Sequence, residues 1–144
     1  VTLSAASGSD VVQLGGTAVD ATGVGTVGAI FNFTADAAGS TDAVYNFNAG
    51  DDHIALHTVA GTAANFNDDS GTSVATYADA LAGADTAMNG TVIYSLQLVT
   101  GGDYFLFADT NADGDADIVA AIDATTLSGT FGFDDIVATT DFIA

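Results

Sequence analysis

The chain has 144 residues and a formal charge of −19, because its 19 Asp meet no Lys or Arg, and Glu, Cys and Pro are missing as well. Its 49% apolar content is too high for a disordered acidic chain. With no cation, phosphate backbones and anionic membrane surfaces are excluded as partners, and no apolar run reaches the roughly 18 residues of a membrane span.

In chain order, "VTLSA", "DVVQL" and "VGAIFNFT" alternate apolar with small polar residues, the pattern of half-buried strands. The stretch 40–56, "STDAVYNFNAGDDHIAL", reads as strand, turn at Asn48-Ala49-Gly50-Asp51, and strand; 61–71 reads as a polar loop. Val74, Tyr77, Ala78 and Leu81 recur at helical spacing and predict a helix over about 73–82, capped by Thr72 or Ser73 and ended by Gly83. "TVIYSLQLV", "GDYFLFAD" and "DADIVAAI" follow as three strands joined by tight turns. The expected fold is one mainly β domain over 1–144, a sandwich or β-roll-like, with that one short helix. Absent Glu and Lys, the usual filling of exposed helix faces, point the same way. No signal peptide precedes Val1, which reads as the start of a processed or recombinant product.

Asp109, Asn111, Asp113, Gly114 and Asp117 spell D-x-N-x-D-G-x-x-D. Alternate positions of a tight loop turn their oxygens inward, and Gly supplies the bend. Ca²⁺, which takes six to eight oxygens at about 2.3–2.6 Å, needs that arrangement. Without an ion, two carboxylates a few ångströms apart repel by about 1 kcal/mol even in water. Asp115 is expected to offer its main-chain carbonyl. Where an EF-hand would require Glu, the chain has Ala120, and "DIVAAI" reads as a strand, so the loop belongs to a β-hairpin. Weaker echoes of G-x-D-x-apolar spacing place Asp10, and Asp51 with Asp52, before short apolar runs. Asp68 and Asp69, after Asn67, form a further acidic turn. All ten positions are candidate calcium ligands.

"YNFNAGDDHIAL" resembles the segment that closes the repeat region of RTX-type (calcium β-roll) exported proteins. "GDYFLFADTNADGDADIVAAI" resembles the strand–loop–strand that follows it, and "TTDFIA" their extreme C-terminus; together these cover roughly 40–144. The insert "GTSVATYADALAG" resembles the C-terminal region of S-layer proteins. The resemblance implies export by a type I transporter from a Gram-negative bacterium. The signal would lie in about 130–144, ending on Asp141-Phe142-Ile143-Ala144.

Catalysis finds little support. His53 and His57 are spaced for a shared strand face and a zinc pair, but no third ligand stands near, and H-E-x-x-H and G-x-S-x-G are absent. Asp134 and Asp135 read as a solvated turn, and no enzyme is expected. Asn32-Phe33-Thr34 and Asn89-Gly90-Thr91 fit the N-glycosylation sequon, usually of no consequence in a bacterial protein. The functional expectation is a secreted structural protein of the cell surface that folds with Ca²⁺ and self-assembles into a layer, fibre or biofilm matrix. Its partners would be further copies of itself and a cell-surface polysaccharide. The alternative is the calcium-binding export domain of a larger RTX adhesin or protease.

Overall fold

The computed structural model describes residues 2–4, 11–13, 30–32, 42–45, 47–50 and 52–138. Five short strands come first: β1 (Thr2–Ser4), β2 (Val11–Gln13), β3 (Ile30–Asn32), β4 (Asp42–Tyr45) and β5 (His53–Ala55). None pairs with its sequence neighbour. β1, β3 and β5 lie side by side and parallel in one sheet, while β2 and β4 pair in parallel in a second. A chain that alternates between two parallel sheets winds in coils, each strand stacked on the one two before it. The expected strand–turn–strand over 40–56 is therefore a corner between sheets: the turn bridges from Asn48 to Asp52, closed by Asp52 N–H to the Asn48 carbonyl at 2.8 Å.

The winding resumes late in the chain. β9 (Ile118–Ile122) stacks parallel on β4 with Ala120 beside Asp42; Ser128 then pairs with Asn48 and Ile136 with Ile54. Residues 118–136 thus retrace the path of 42–54 one layer on. Between the two layers, residues 56–117 make an excursion containing β6 (Phe66–Asp68), α1 (Tyr77–Ala87), β7 (Tyr94–Leu98) and β8 (Tyr104–Ala108). β7, β8 and β9 are antiparallel neighbours, as the three strand-like runs predicted. β6 lies where a loop was expected, parallel to β7 at the sheet edge. Main-chain pairing there is indifferent to the polar side chains of Asn67 and Asp68.

The pleat divides the apolar residues between two cores. Leu106 and Ala108 of β8, with Ala120 and Ile122 of β9, pack on Val44, Phe47, Ile54, Tyr94, Leu96, Phe131 and Ile136 between the sheets. Phe107, from the alternate face, packs with Ala80, Ala84 and Met88 of the helical segment. Tyr77 crosses the rings of Phe105 and Phe107 at 5.1 and 5.8 Å. Among the described residues the fold is mainly β with one α-helix. Tyr94 is wholly buried and donates its hydroxyl to the Val59 carbonyl; burial pushes its pKa up to about 12.

The helix starts four residues later than expected and runs past Gly83. Ser73 and Val74 are engaged elsewhere: Val74 N–H donates to the Leu98 carbonyl at 2.8 Å. The cap is Thr76, whose Oγ1 accepts Asp79 N–H while the Asp79 carboxylate accepts Thr76 N–H, a reciprocal pair. Gly83 stays inside the helix because its bare Cα faces the Gln97 amide, which an added Cβ would approach to 3.1 Å.

The last described segment is stitched to the preceding layer. Asp135, expected in a solvated turn, is 2% exposed. Its Oδ1 accepts Gly50 N–H at 2.6 Å and its Oδ2 accepts Gly132 N–H at 2.8 Å. Ser128 N–H donates to Phe47, Val137 N–H to Ile54 and Gly61 N–H to Ile136. The export-signal-like tail 139–144 lies outside the described residues. Among the described residues no helix is long and apolar enough to cross a membrane.

Thr76→Ala is expected to cost about 1 kcal/mol through the lost cap, read as a drop of about 3 °C in thermal melting. Asp103, just before β8, has its pKa raised by burial and then by the charge of Asp123. A carboxyl with a raised folded pKa binds its proton more tightly folded than unfolded. Its ionisation therefore costs stability above that range, and the cost vanishes below the ordinary carboxylate pKa. Asp103→Asn should accordingly be more stable than the parent at pH 7 in urea titrations, with the advantage lost as pH falls below about 4.

Candidate metal centre

The strand β8 delivers Asp109 into the turn toward β9 with its carboxylate 1% exposed. Its Oδ1 accepts the N–H groups of Asn111 (3.2 Å) and Ala112 (2.6 Å), and its Oδ2 accepts that of Gly114 (2.9 Å). One buried anion thus gathers three main-chain donors and folds the loop around itself. Asn111 Oδ1 accepts Asp113 N–H at 2.9 Å, and Asp113 Oδ1 accepts Asp115 N–H at 3.1 Å. Asp117 closes the loop: its Oδ2 accepts both the N–H and hydroxyl of Thr110 at 2.8 Å, and its Oδ1 accepts the Asn111 amide at 3.2 Å. The path needs left-handed backbone at Ala112 (φ 63°) and Gly114 (φ 95°), and Gly is the residue that adopts it without strain.

Two further groups dock the loop. Asp85 of α1 accepts Ala116 N–H at 2.9 Å. His57 accepts Val59 N–H through Nδ1 at 3.1 Å, so its proton sits on Nε2 and is donated to the Thr110 carbonyl at 3.1 Å. Both ring nitrogens of His57 are committed to main chain, which leaves no lone pair for the zinc pair that the spacing suggested. Asp85 escaped the sequence reading because the helix was ended at Gly83.

Asn111, Asp113, Asp115 and Asp117 are exposed at the rim above buried Asp109. Every side-chain group they offer a ligand is a hard oxygen apart from the Asn111 amide nitrogen, so the donor set fits a hard divalent cation and not a soft one. Among the described residues no three His or Asp side chains close on one point. A cation held here would need the Asn111 amide oxygen, main-chain carbonyls and water beside the carboxylates.

The other predicted positions lie elsewhere. Asp52, 1% exposed, is turned inward, its Oδ2 accepting Asn48 N–H at 2.9 Å. Asp68 and Asp69 are at the outer sheet edge. Asp68 Oδ1 accepts the N–H and hydroxyl of Ser70; Asp69 Oδ2 accepts the Asn67 amide at 2.7 Å and the buried Gln97 amide at 3.1 Å. They border a cavity of about 360 Å³ with Gly71, Thr72 and Val74. Asp10 and Asp51 lie outside the described residues. The two G-x-D echoes lead into β2 and β5, strands of different sheets, so they are not successive copies of one corner.

No family model matches this chain, and no curated protein or solved structure matches it either.

Asp109→Ala strands three loop N–H groups around a buried void and is expected to cost about 3 kcal/mol. Asp109→Asn, which keeps one acceptor oxygen, should cost less. Urea denaturation followed by circular dichroism, in chelator, separates the two.

Proposed function

We propose that the chain is a secreted bacterial structural protein that uses Ca²⁺ to fold and to self-assemble into an extracellular layer, fibre or matrix. The observation that carries this reading is the 109–117 loop: a buried Asp109 organises the backbone while Asn111, Asp113 and Asp117 hold oxygens at alternate rim positions. Asp109, Asn111, Asp113 and Asp117, with the Asp115 carbonyl, would hold the ion. Bound Ca²⁺ supplies positive charge to a loop that has none of its own.

The physical sequence is short. In a calcium-poor cytoplasm the rim carboxylates repel and oppose closure of the β8–β9 hairpin. In millimolar external calcium the ion binds the folded loop and not the open one, and adds its binding free energy to folding. Carboxylates left over on the surface then share cations between copies of a chain that otherwise repel one another. The alternating coil of β1 to β5 also supports a second reading, the C-terminal calcium-binding export domain of a larger RTX-type adhesin or protease.

Calcium at a hundredfold over its Kd should stabilise the chain by about 2.7 kcal/mol. Asp113→Ala should abolish that gain while leaving the chelated melting temperature within a degree or two. An unchanged melting temperature in calcium for the parent chain sinks the loop as an ion site. Electron microscopy with and without chelator tests assembly; dispersed monomers under both conditions sink the structural role.

A further inference from the structure

The turn between α1 and β7 carries the second sequon, and all three of its residues, Asn89, Gly90 and Thr91, are exposed. Asn89 N–H donates to the Val92 carbonyl at 3.2 Å, while Asn89 Oδ1 accepts the N–H groups of Thr91 (3.0 Å) and Val92 (3.1 Å). These bonds fix an Asx turn, with Gly90 at φ 79°. The amide oxygen is engaged on the protein side. Among the described residues the Asn89 Nδ2 and the Thr91 hydroxyl have no partner, so both face solvent.

An amide nitrogen is a poor nucleophile because its lone pair is delocalised into the carbonyl. Two N–H donors on Oδ1 stabilise the negative charge that this oxygen gains as Nδ2 gives up a proton. The turn therefore favours the reactive form of the amide and presents it beside the hydroxyl two residues on. Asn32, in the other sequon, is placed differently: its main chain lies on β3, paired with Ser4 on one strand and Ala55 on the other.

We propose that Asn89 is an acceptor for an N-linked oligosaccharide carried on a polyprenyl diphosphate. Nδ2 attacks C1 of the reducing-end sugar and forms the C–N bond. The bond from C1 to the diphosphate oxygen breaks, and its electron pair leaves on the lipid diphosphate. The amide proton passes to a base of the transferring enzyme, which reads the Thr91 hydroxyl. The glycan leaves the surface beside the acidic loop, since the bare Cα of Gly90 faces the Ala112 carbonyl. The acceptor chemistry rests on the geometry of the turn and not on the export reading above.

The test incubates the purified folded chain with a membrane oligosaccharyltransferase and its lipid-diphosphate oligosaccharide, with a short sequon peptide as activity control. With no Lys or Arg, trypsin has no site, so peptides come from cleavage before Asp and are weighed by mass spectrometry. The expected result is a glycan mass on Asn89 accumulating at least tenfold faster than on Asn32. It should be lost in Asn89→Gln and in Thr91→Ala, which keeps the backbone donor of the turn, and kept in Asn32→Gln. A glycosylated control beside a bare Asn89 overturns the proposal, as does equal modification of Asn32 or a gain of one mass unit from deamidation alone. Repeating the reaction in chelator separates the two readings: a glycan on a chain that ignores calcium sinks the ion site and keeps this acceptor.

Discussion

Nineteen carboxylates and no cationic side chain leave the main-chain N–H as the protein's chief source of positive charge. The described structure uses it throughout. Asp109 takes three N–H groups, Asp135 two and Asp123 two; Asp52, Asp68, Asp79, Asp85, Asp113 and Asp117 take one each. This pairing favours Asp over Glu. The short side chain reaches the N–H two or three residues on within a turn, as Asp109, Asp113 and Asp123 all do, whereas the longer Glu favours helix faces. Acid and turn are one device here. Asp123 shows its strength: the Thr125 hydroxyl and the adjacent N–H groups hold its pKa below the usual value against the opposing effect of its partial burial.

The same device joins layers as well as closing turns. Asp135 binds Gly50 across 85 residues of chain and so fastens the 118–136 layer onto the 42–54 layer, at the expense of a buried charge whose pKa burial raises. Asp85 does the equivalent between α1 and the acidic loop. Among the described residues several carboxylates crowd one rim in that loop, and there the N–H groups are consumed by Asp109, Asp113 and Asp117 on their inner sides. The outer oxygens of the rim are where, on the reading proposed above, a cation from the medium would add what the chain lacks.

Much of this was legible in the sequence, and the failures share a cause. Alternation and turn residues located β7, β8 and β9, and the D-x-N-x-D-G spacing located the loop, because those signals are local. The helix start was misplaced because Thr76 and Asp79 make a capping box with Asp in place of Glu or Gln. Its end was misplaced because Gly83 answers to Gln97, fourteen residues away. Asp135 read as solvated because its partner Gly50 lies in another layer. That β4 and β5 belong to different sheets could not be read from a strand–turn–strand pattern, which a hairpin writes equally well.

The division between coil and excursion orders the rest. The acidic loop, the Asn89 turn and the Asp68–Asp69 edge all lie within residues 56–117, while the coil supplies the stacked strands on which that excursion rests. β9 is the exception that links them: it is the second arm of the acidic hairpin and the first strand of the returning layer. Because β9 pairs with both β8 and β4, the acidic hairpin and the 118–136 layer share one strand, and a change that loosens the hairpin loosens the seat of that layer on 42–54.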